Sequence, residues 1–354
     1  MLRKLVVWSL LCSTIKQSFL SAAMTSPIQA GNIYLPFADL MRLEKINEVT
    51  YRSIAQPFAP GGDHPRGNRR AYGGHVYAQA AWAASQTVAN GFVLHNITGW
   101  FILGGIPNVP FVYKVHTIRD GGSYCTRIVN VTQSEGKGIC FTCTCSFKRD
   151  EGSILDVQEK VDLWDKYSVV LKDKRPEDFE EVPGMDVPWY WQMRAETGFN
   201  DKFPGLQSHK AAMGPYNEHR HPLDRRQLIF YRTRGEMPDD PNLHACAHLY
   251  ASDRNSLFIV ANHLNVGDKY TQMGSLAHTV VFHTPIKDLL FDADGKGKFF
   301  TKEDWTTRAA GGRGMFHSRV FAPDGTHVAT LMQEGMIRLG GKPNKAARPE
   351  SAKL

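Results

Sequence analysis

Three polar residues in this chain could together do hydrolytic chemistry: Asp253, Ser275 and Gln333. A carboxylate, a hydroxyl and an amide gathered around one water can activate and aim it. The carboxylate takes a proton while the other two hold the oxygen in place. Such a set suits direct attack of water on a carbonyl, with no covalent intermediate. Plainer roles stay open for each residue taken alone. Asp253 could be a capping or solvated carboxylate, and Ser275 and Gln333 could be polar strand positions with a local hydrogen bond. No Gly-x-Ser-x-Gly elbow is present in the sequence, which argues against the nucleophilic-serine route of the α/β-hydrolases.

The elements that must position these residues are legible around them. Asp240 followed by Pro241 reads as an N-cap and first helical position. Leu243, Cys246 or Ala247, and Tyr250 then recur at a helical period, with alanines keeping the helix thin. Asp253 falls at the C-terminal end of this helix, where the negative end of the dipole and any burial would both raise its pKa and make it a better base near neutral pH. Residues 273–283 alternate as a strand, with Leu276, Val280 and Phe282 on one face and Ser275, Ala277, Thr279 and Val281 on the other. Gln333 shares a strand face with Ala329 and Leu331, where its amide is costly unless hydrogen-bonded.

A second alanine-rich helix is expected from His75 to Val88, opened by Gly73-Gly74. Two glycines at a helix start expose backbone N–H groups suited to a carbonyl oxygen, so Gly73 and Gly74 are the candidate substrate contacts. Strand patterns follow at 95–103, 110–119, 123–133 and 138–149, an antiparallel meander turning at Asp120-Gly121-Gly122. From Gln227 the order returns: a strand at Leu228–Arg232, the helix after Pro241, then strands near 273–283, 311–321 and 327–338, the last two joined at Pro323-Asp324-Gly325. This is an internal duplication of architecture rather than of close sequence. Residues 151–222 differ in kind, charged and Pro-rich, and read as a connection with local helix; Trp189-Tyr190-Trp191 within it reads as packing.

The 354-residue chain is 42% hydrophobic, enough for sizeable cores, and carries a net charge of +7. The basic residues are scattered, so a nucleic-acid arm is not indicated, while a mild positive bias suits an anionic small ligand. Cys140, Cys143 and Cys145 lie in an alternating strand pattern that points Cys140 away from the other two, against zinc and for buried reduced thiols. Asp292 to Glu303 fits calcium-loop spacing except for Lys296 at a ligand position, and reads as a surface insertion. No metal or other cofactor is expected. The N-terminus is basic, then apolar, and signal-like, yet too short for a membrane span, and Met24 is an alternative start. The chain ends in Ala352-Lys353-Leu354, a close variant of the peroxisomal address, on a polar Gly/Pro/Lys-rich tail. It directs the expectation to the peroxisome matrix by way of the import receptor, with secretory or mitochondrial routing as the minor alternative.

Several segments, in order along residues 40 to 340, carry a family resemblance: Leu43-Glu-Lys-Ile46, Tyr72-Gly-Gly-His-Val-Tyr-Ala-Gln79, Arg119-Asp-Gly-Gly-Ser123, Tyr250-Ala-Ser-Asp253, Ser275-Leu-Ala-His278, Gly311-Gly-Arg-Gly314 and Gln333-Glu-Gly-Met-Ile-Arg338. On these the chain resembles the type II acyl-CoA thioesterases, the double hot-dog family that includes bacterial thioesterase II and the peroxisomal acyl-CoA thioesterases. The resemblance implies an α+β fold of two antiparallel sheets, each wrapped around an Ala-rich helix. It also implies hydrolysis of acyl-CoA to free acid and coenzyme A, with Asp253, Ser275 and Gln333 acting together on the water. The expected layout is an extension (1–35), an N-terminal hot-dog (36–150), a linker (151–222), a C-terminal hot-dog (223–340) and the tail (341–354). Ala277, Thr98-Gly-Trp-Phe101, Leu103-Gly-Gly105 and an insertion near 285–310 depart from the family pattern and bear on acyl-chain preference and subunit packing. Exposed sheet edges make a homo-oligomer the expectation. Two rivals remain: a hot-dog hydratase or dehydratase using an Asp–His pair from among His75, His244 and His248, and a non-catalytic acyl-CoA-binding protein.

Overall fold

The computed structural model describes residues 35–61, 67, 69–198, 201 and 203–340. The signal-like segment, Met24 and the C-terminal tripeptide lie outside the described residues. In chain order the helices are α1 (Phe37–Met41), α2 (Gly73–Ser85), α3 (Leu163–Lys166), α4 (Ser168–Leu171), α5 (Pro188–Thr197), α6 (Gly214–Asn217), α7 (Pro241–Ser252), α8 (Ser256–His263) and α9 (Ile286–Leu289). The strands are β1 (Leu43–Asn47), β2 (Thr50–Ser53), β3 (Phe92–Phe101), β4 (Phe111–Asp120), β5 (Tyr124–Gln133), β6 (Phe141–Arg149), β7 (Glu180–Glu181), β8 (Leu206–Lys210), β9 (Gln227–Thr233), β10 (Tyr270–Phe282), β11 (Phe300–Ala310), β12 (Arg313–Phe321) and β13 (His327–Leu339).

Helices α2 and α7 form the centre. Asp240 caps α7 by accepting from the N–H groups of Asn242 (2.9 Å) and Leu243 (3.3 Å), with Pro241 at the first helical position. Both helices are buried around nearly their whole circumference. That explains their alanines: small side chains let each helix touch its neighbour and its sheet at once. They run antiparallel, since Asn242 at the start of α7 bonds Leu94 N and Phe92 O (each 2.9 Å), just past the end of α2. The N-terminus of α2 therefore meets the C-terminus of α7, where Asp253 sits.

The strands lie in the order β1-β2-β4-β5-β6-β3-β10-β13-β12-β11-β9-β8-β7. Read outward from the middle, β3 matches β10, β6 matches β13, β5 matches β12 and β4 matches β11, the same winding repeated around α2 and α7. The expected two sheets are continuous. Asn96–Trp100 of β3 pairs with Ala277–Val281 of β10, closing them into one 13-stranded antiparallel sheet. Joining them edge to edge satisfies two rows of backbone groups that would otherwise be exposed. Thr98 and Thr279 share a hydroxyl hydrogen bond across the join (3.1 Å).

Three sequence expectations change. The segment near 285–310 is not only an insertion, because it carries β11, the counterpart of β4. Lys302-Glu303-Asp304 hides this strand from a hydrophobicity reading, yet all three are buried. Glu303, at the end of the calcium-like spacing, is held by Lys166 (2.6 Å), Tyr167 and Arg319 (2.6 Å). Second, residues 151–222 supply β7 and β8, which extend the sheet beyond β9, and α5. On α5, Trp189 and Tyr190 pack with Met185 and Val187, away from the central helices.

Third, plain alternation fails in β10. Its pairing with β13 shifts between Ser275 and Ala277, so Leu276 is an extra, bulged residue. One added residue exchanges the two faces. Ser275 therefore leaves the company of Ala277 and Thr279 and joins His278, Val280 and Phe282 on the helix-facing side. Leu276 does not share that inner face with Val280 and Phe282.

Candidate active site

Asp253 is the C-cap of α7, and its backbone N–H bonds Ala251 O. The turn after it is pinned by Asn255, whose φ of 57° places it in the left-handed region that Asn tolerates. The Asn255 side chain donates to Pro183 O (3.2 Å). Helix α8 then packs onto Gly314 and Gly335, which face each other across β12 and β13. A Cβ at Gly335 would come within 2.2 Å of Leu257 Cδ2, so the sheet is notched there to admit the helix.

The three candidate residues meet. Gln333 Nε2 donates to Asp253 Oδ1 (2.7 Å) and to Ser275 Oγ (2.6 Å), and Ser275 Oγ lies 3.5 Å from Asp253 Oδ1. The bulge at Leu276 is what turns Ser275 toward the other two. Burial pushes the Asp253 carboxyl up to about 6; Gln333, the Gly74 N–H, Lys302 and Ser256 pull the other way. A carboxylate tuned to this range is matched to accepting a proton near neutral pH.

Gly73 and Gly74 open α2 beside this carboxylate. A Cβ at Gly73 would sit 2.8 Å from Asp253 Oδ2 and 3.0 Å from the Phe101 ring, a close approach that only glycine permits. Gly73 lines the cleft over Asp253 and Ser275. Gly74 does not. Its N–H is turned to Asp253, and a Cβ there would meet Tyr250 O at 2.7 Å. Of the two glycines, Gly73 is the one placed to touch a ligand.

The cleft holds about 420 Å³ and lies between the two halves. Phe101, Ile102, Leu103, Leu257, Met273 and Met336 give it apolar walls, and Arg69 and Arg70 add positive charge. Phe101 and the Leu103-Gly104-Gly105 stretch, the latter a departure from the family pattern, lie in this wall.

Two neighbours escaped the sequence reading of the site. His278 Nε2 hydrogen-bonds Ser252 Oγ (2.8 Å), and burial keeps its imidazole neutral, at about 3. Lys302 reaches Ala251 O (3.2 Å) from β11. His278 stood in a recognisable motif, but Lys302 offered no local signal. The other histidines lie elsewhere. His248 bonds Tyr231 OH (2.7 Å) and Leu289 O (2.9 Å), and His244 bonds Pro238 O (3.1 Å) and Phe291 N (3.0 Å), both beside Phe291. His75 is buried against Phe111. None of these three lines the cleft. Among the described residues no group of three or more His, Cys, Asp or Glu is placed to hold a metal, and no helix is long and apolar enough to cross a membrane.

A strand-wrapped helix repeated twice, with an acid, a hydroxyl and an amide at the junction, defines a double hot-dog hydrolase. Comparisons with known proteins narrow this. The profile of the acyl-CoA thioesterase N-terminal domain matches residues 61–148, and that of acyl-CoA thioesterase matches 195–336. Acyl-CoA thioesterase 2 of Haemophilus influenzae is 28% identical over 308 residues, covering 84% of this chain and 96% of its own. Acyl-coenzyme A thioesterase 8 of Mus musculus is 28% identical over 316 residues, covering 85% and 88%. The crystal structure of acyl-CoA thioesterase II TesB2 from Mycobacterium marinum superposes with a TM-score of 0.62 at 25% identity, over 86% of this chain and 99% of that one. A hot-dog-fold protein from Alicyclobacillus acidocaldarius, 15% identical, superposes with a TM-score of 0.61 over 86% and 98%. The chain belongs to the type II acyl-CoA thioesterase family.

Proposed function

We propose that this chain hydrolyses acyl-CoA to a free carboxylic acid and coenzyme A, with Asp253, Ser275 and Gln333 positioning the attacking water. The observation that carries this reading is the double hydrogen bond from one Gln333 amide to both Asp253 and Ser275. Asp253 takes a proton from the water as its oxygen bonds the thioester carbon. Gly73, at the N-terminus of α2, faces the developing oxyanion. The C–S bond then breaks, and the proton held by Asp253 goes to the departing thiolate. The apolar walls suit an acyl chain, and the Arg69-Arg70 pair suits the phosphates of coenzyme A. A hydratase would want a histidine beside the acid, and His278, which stands beside Gln333, is bonded to Ser252 rather than to Asp253.

The chain working in the peroxisome matrix, in lipid metabolism, with import through Ala352-Lys353-Leu354, is the cellular setting we favour. A homo-oligomer formed through the remaining sheet edges is part of the same proposal.

Thiol release from a panel of short, long and dicarboxylic acyl-CoAs tests the activity and its chain preference. A hydratase would change enoyl absorbance without releasing thiol, and a simple binder would do neither. Asp253→Asn should lose most turnover, about 10²–10⁴-fold, while still folding and binding acyl-CoA. Unchanged turnover would reject the assignment.

A further inference from the structure

Lys302 and Asp304 are alternate residues of β11, on one face of the strand, with side chains 1% and 0% exposed. Neither lines the cleft. A buried ammonium is costly unless its protons find oxygens. Lys302 Nζ has two near it: Ala251 O at 3.2 Å and Asp304 Oδ2 at 3.6 Å. Ala251 O is no ordinary carbonyl, because it already accepts the N–H groups of Asp253 and, at 3.1 Å, of Arg254. The ammonium thus sits on the last turn of α7, at the negative end of the helix dipole, where Asp253 leaves the helix. Its positive charge opposes the two influences that disfavour a carboxylate there, burial and the dipole.

The other groups around Asp253 are Gln333 from β13, Ser275 from β10, Tyr72, the Gly74 N–H and Tyr77 from the α2 region, and Ser256 from α8; the neutral His278 of β10 stands beside Gln333 and Lys302. Arg254 is the other buried cation nearby. Its guanidinium is bonded to Gly184 O (2.9 Å) and Val182 O (3.0 Å) and lies 3.6 Å over the Phe203 ring. Around Lys302 itself are Asp304, Asp253 and Arg254, with the Phe316 ring at 5.5 Å.

We propose that Lys302 is a positioning residue for the base: anchored on Ala251 O and backed by Asp304, its ammonium holds Asp253 in the charged, water-accepting form. This rests on Asp253 being the general base. Lys302 touches no substrate atom and acts only through Asp253. Asp304 in turn limits how strongly it does so.

The test is the pH profile of kcat/KM for thiol release by the full chain. Lys302→Met should move the acidic limb up by about one pH unit or more, with KM little changed and activity returning toward wild type above the limb. Asp304→Asn should move the limb the opposite way. If Lys302→Met leaves Asp304 too poorly housed to fold, the double variant Lys302→Met/Asp304→Asn removes both charges and should still move the limb up, by less than Lys302→Met alone. An activity loss equal at every pH, with the limb unmoved, would overturn the proposal. Asp253→Asn, run alongside, separates the two readings. If that variant is inactive but the Lys302→Met limb stays put, only the role of Lys302 falls. If it keeps wild-type turnover, the base assignment falls and this proposal with it.

Discussion

Replacing Gln333 by Met tests the water-holding trio most sharply, because activity and stability should part company. Gln333 is fully buried; its Nε2 makes two hydrogen bonds, while its Oε1 makes none. The bond to the Asp253 carboxylate is charge-assisted, worth about 1.5–3 kcal/mol. At about 1.4 kcal/mol per pKa unit, its loss should raise the Asp253 pKa by roughly one to two units above its present value of about 6. At pH 7 that leaves between about half and a tenth of the carboxylates ionised, a loss of roughly 2- to 10-fold. Loss of the water's alignment adds about 10²-fold. The combined fall should be about 10²–10³-fold at pH 7, shrinking as pH is raised toward 9. Stability should fall only modestly, by about 1 kcal/mol at pH 7 through the same rise in the Asp253 pKa, since Met removes an unsatisfied buried acceptor and nearly fills the same volume. Thiol release across pH, with thermal unfolding on the same samples, reads both quantities. A variant that unfolds well below wild type yet turns over normally when folded would refute the reasoning. So would a loss of activity with the acidic limb unmoved.

The remaining predictions concern the same carboxylate. Gly73→Ala places a methyl where Asp253 Oδ2 and Phe101 now lie (2.8 and 3.0 Å); kcat/KM should fall by about 10²-fold, with a loss of about 1–3 kcal/mol in stability as those side chains shift aside. The raised Asp253 pKa also has a stability consequence. The unfolded carboxyl loses its proton near 3.8 but the folded one only near about 6. Its stabilising contribution is therefore full below the unfolded value and is lost as pH rises through the folded one, leaving a penalty of ~3 kcal/mol above that window. Asp253→Asn should accordingly unfold at a higher temperature than wild type at pH 7–8, with the gap closing near pH 4. Equal melting curves at pH 7 would contradict the burial cost.

Local chemistry determined a good part of this protein in advance. The Asp240-Pro241 pair fixes where α7 begins, and Asp253 lies at its other end. Small residues in both central helices announce burial on every side. Gln333 on an otherwise apolar face signals an amide in need of partners. The family motifs named the trio, and the geometry has them within hydrogen-bonding reach.

What only the tertiary structure decided has one common cause: side chains whose surroundings come from distant parts of the chain. Alternation put Ser275 on the wrong face, because a bulge at Leu276 is set by pairing with β13 and leaves no mark in the local pattern. Lys302-Glu303-Asp304 read as surface, because a charged run can be buried only when its partners arrive from elsewhere. Lys166, Tyr167 and Arg319 serve Glu303, and the end of α7 receives Lys302. The union of two sheets through β3 and β10 likewise depends on which edges are left open once each half has folded. Periodicity reports a residue's own preference for water; it carries no record of a distant carbonyl or carboxylate that makes burial tolerable.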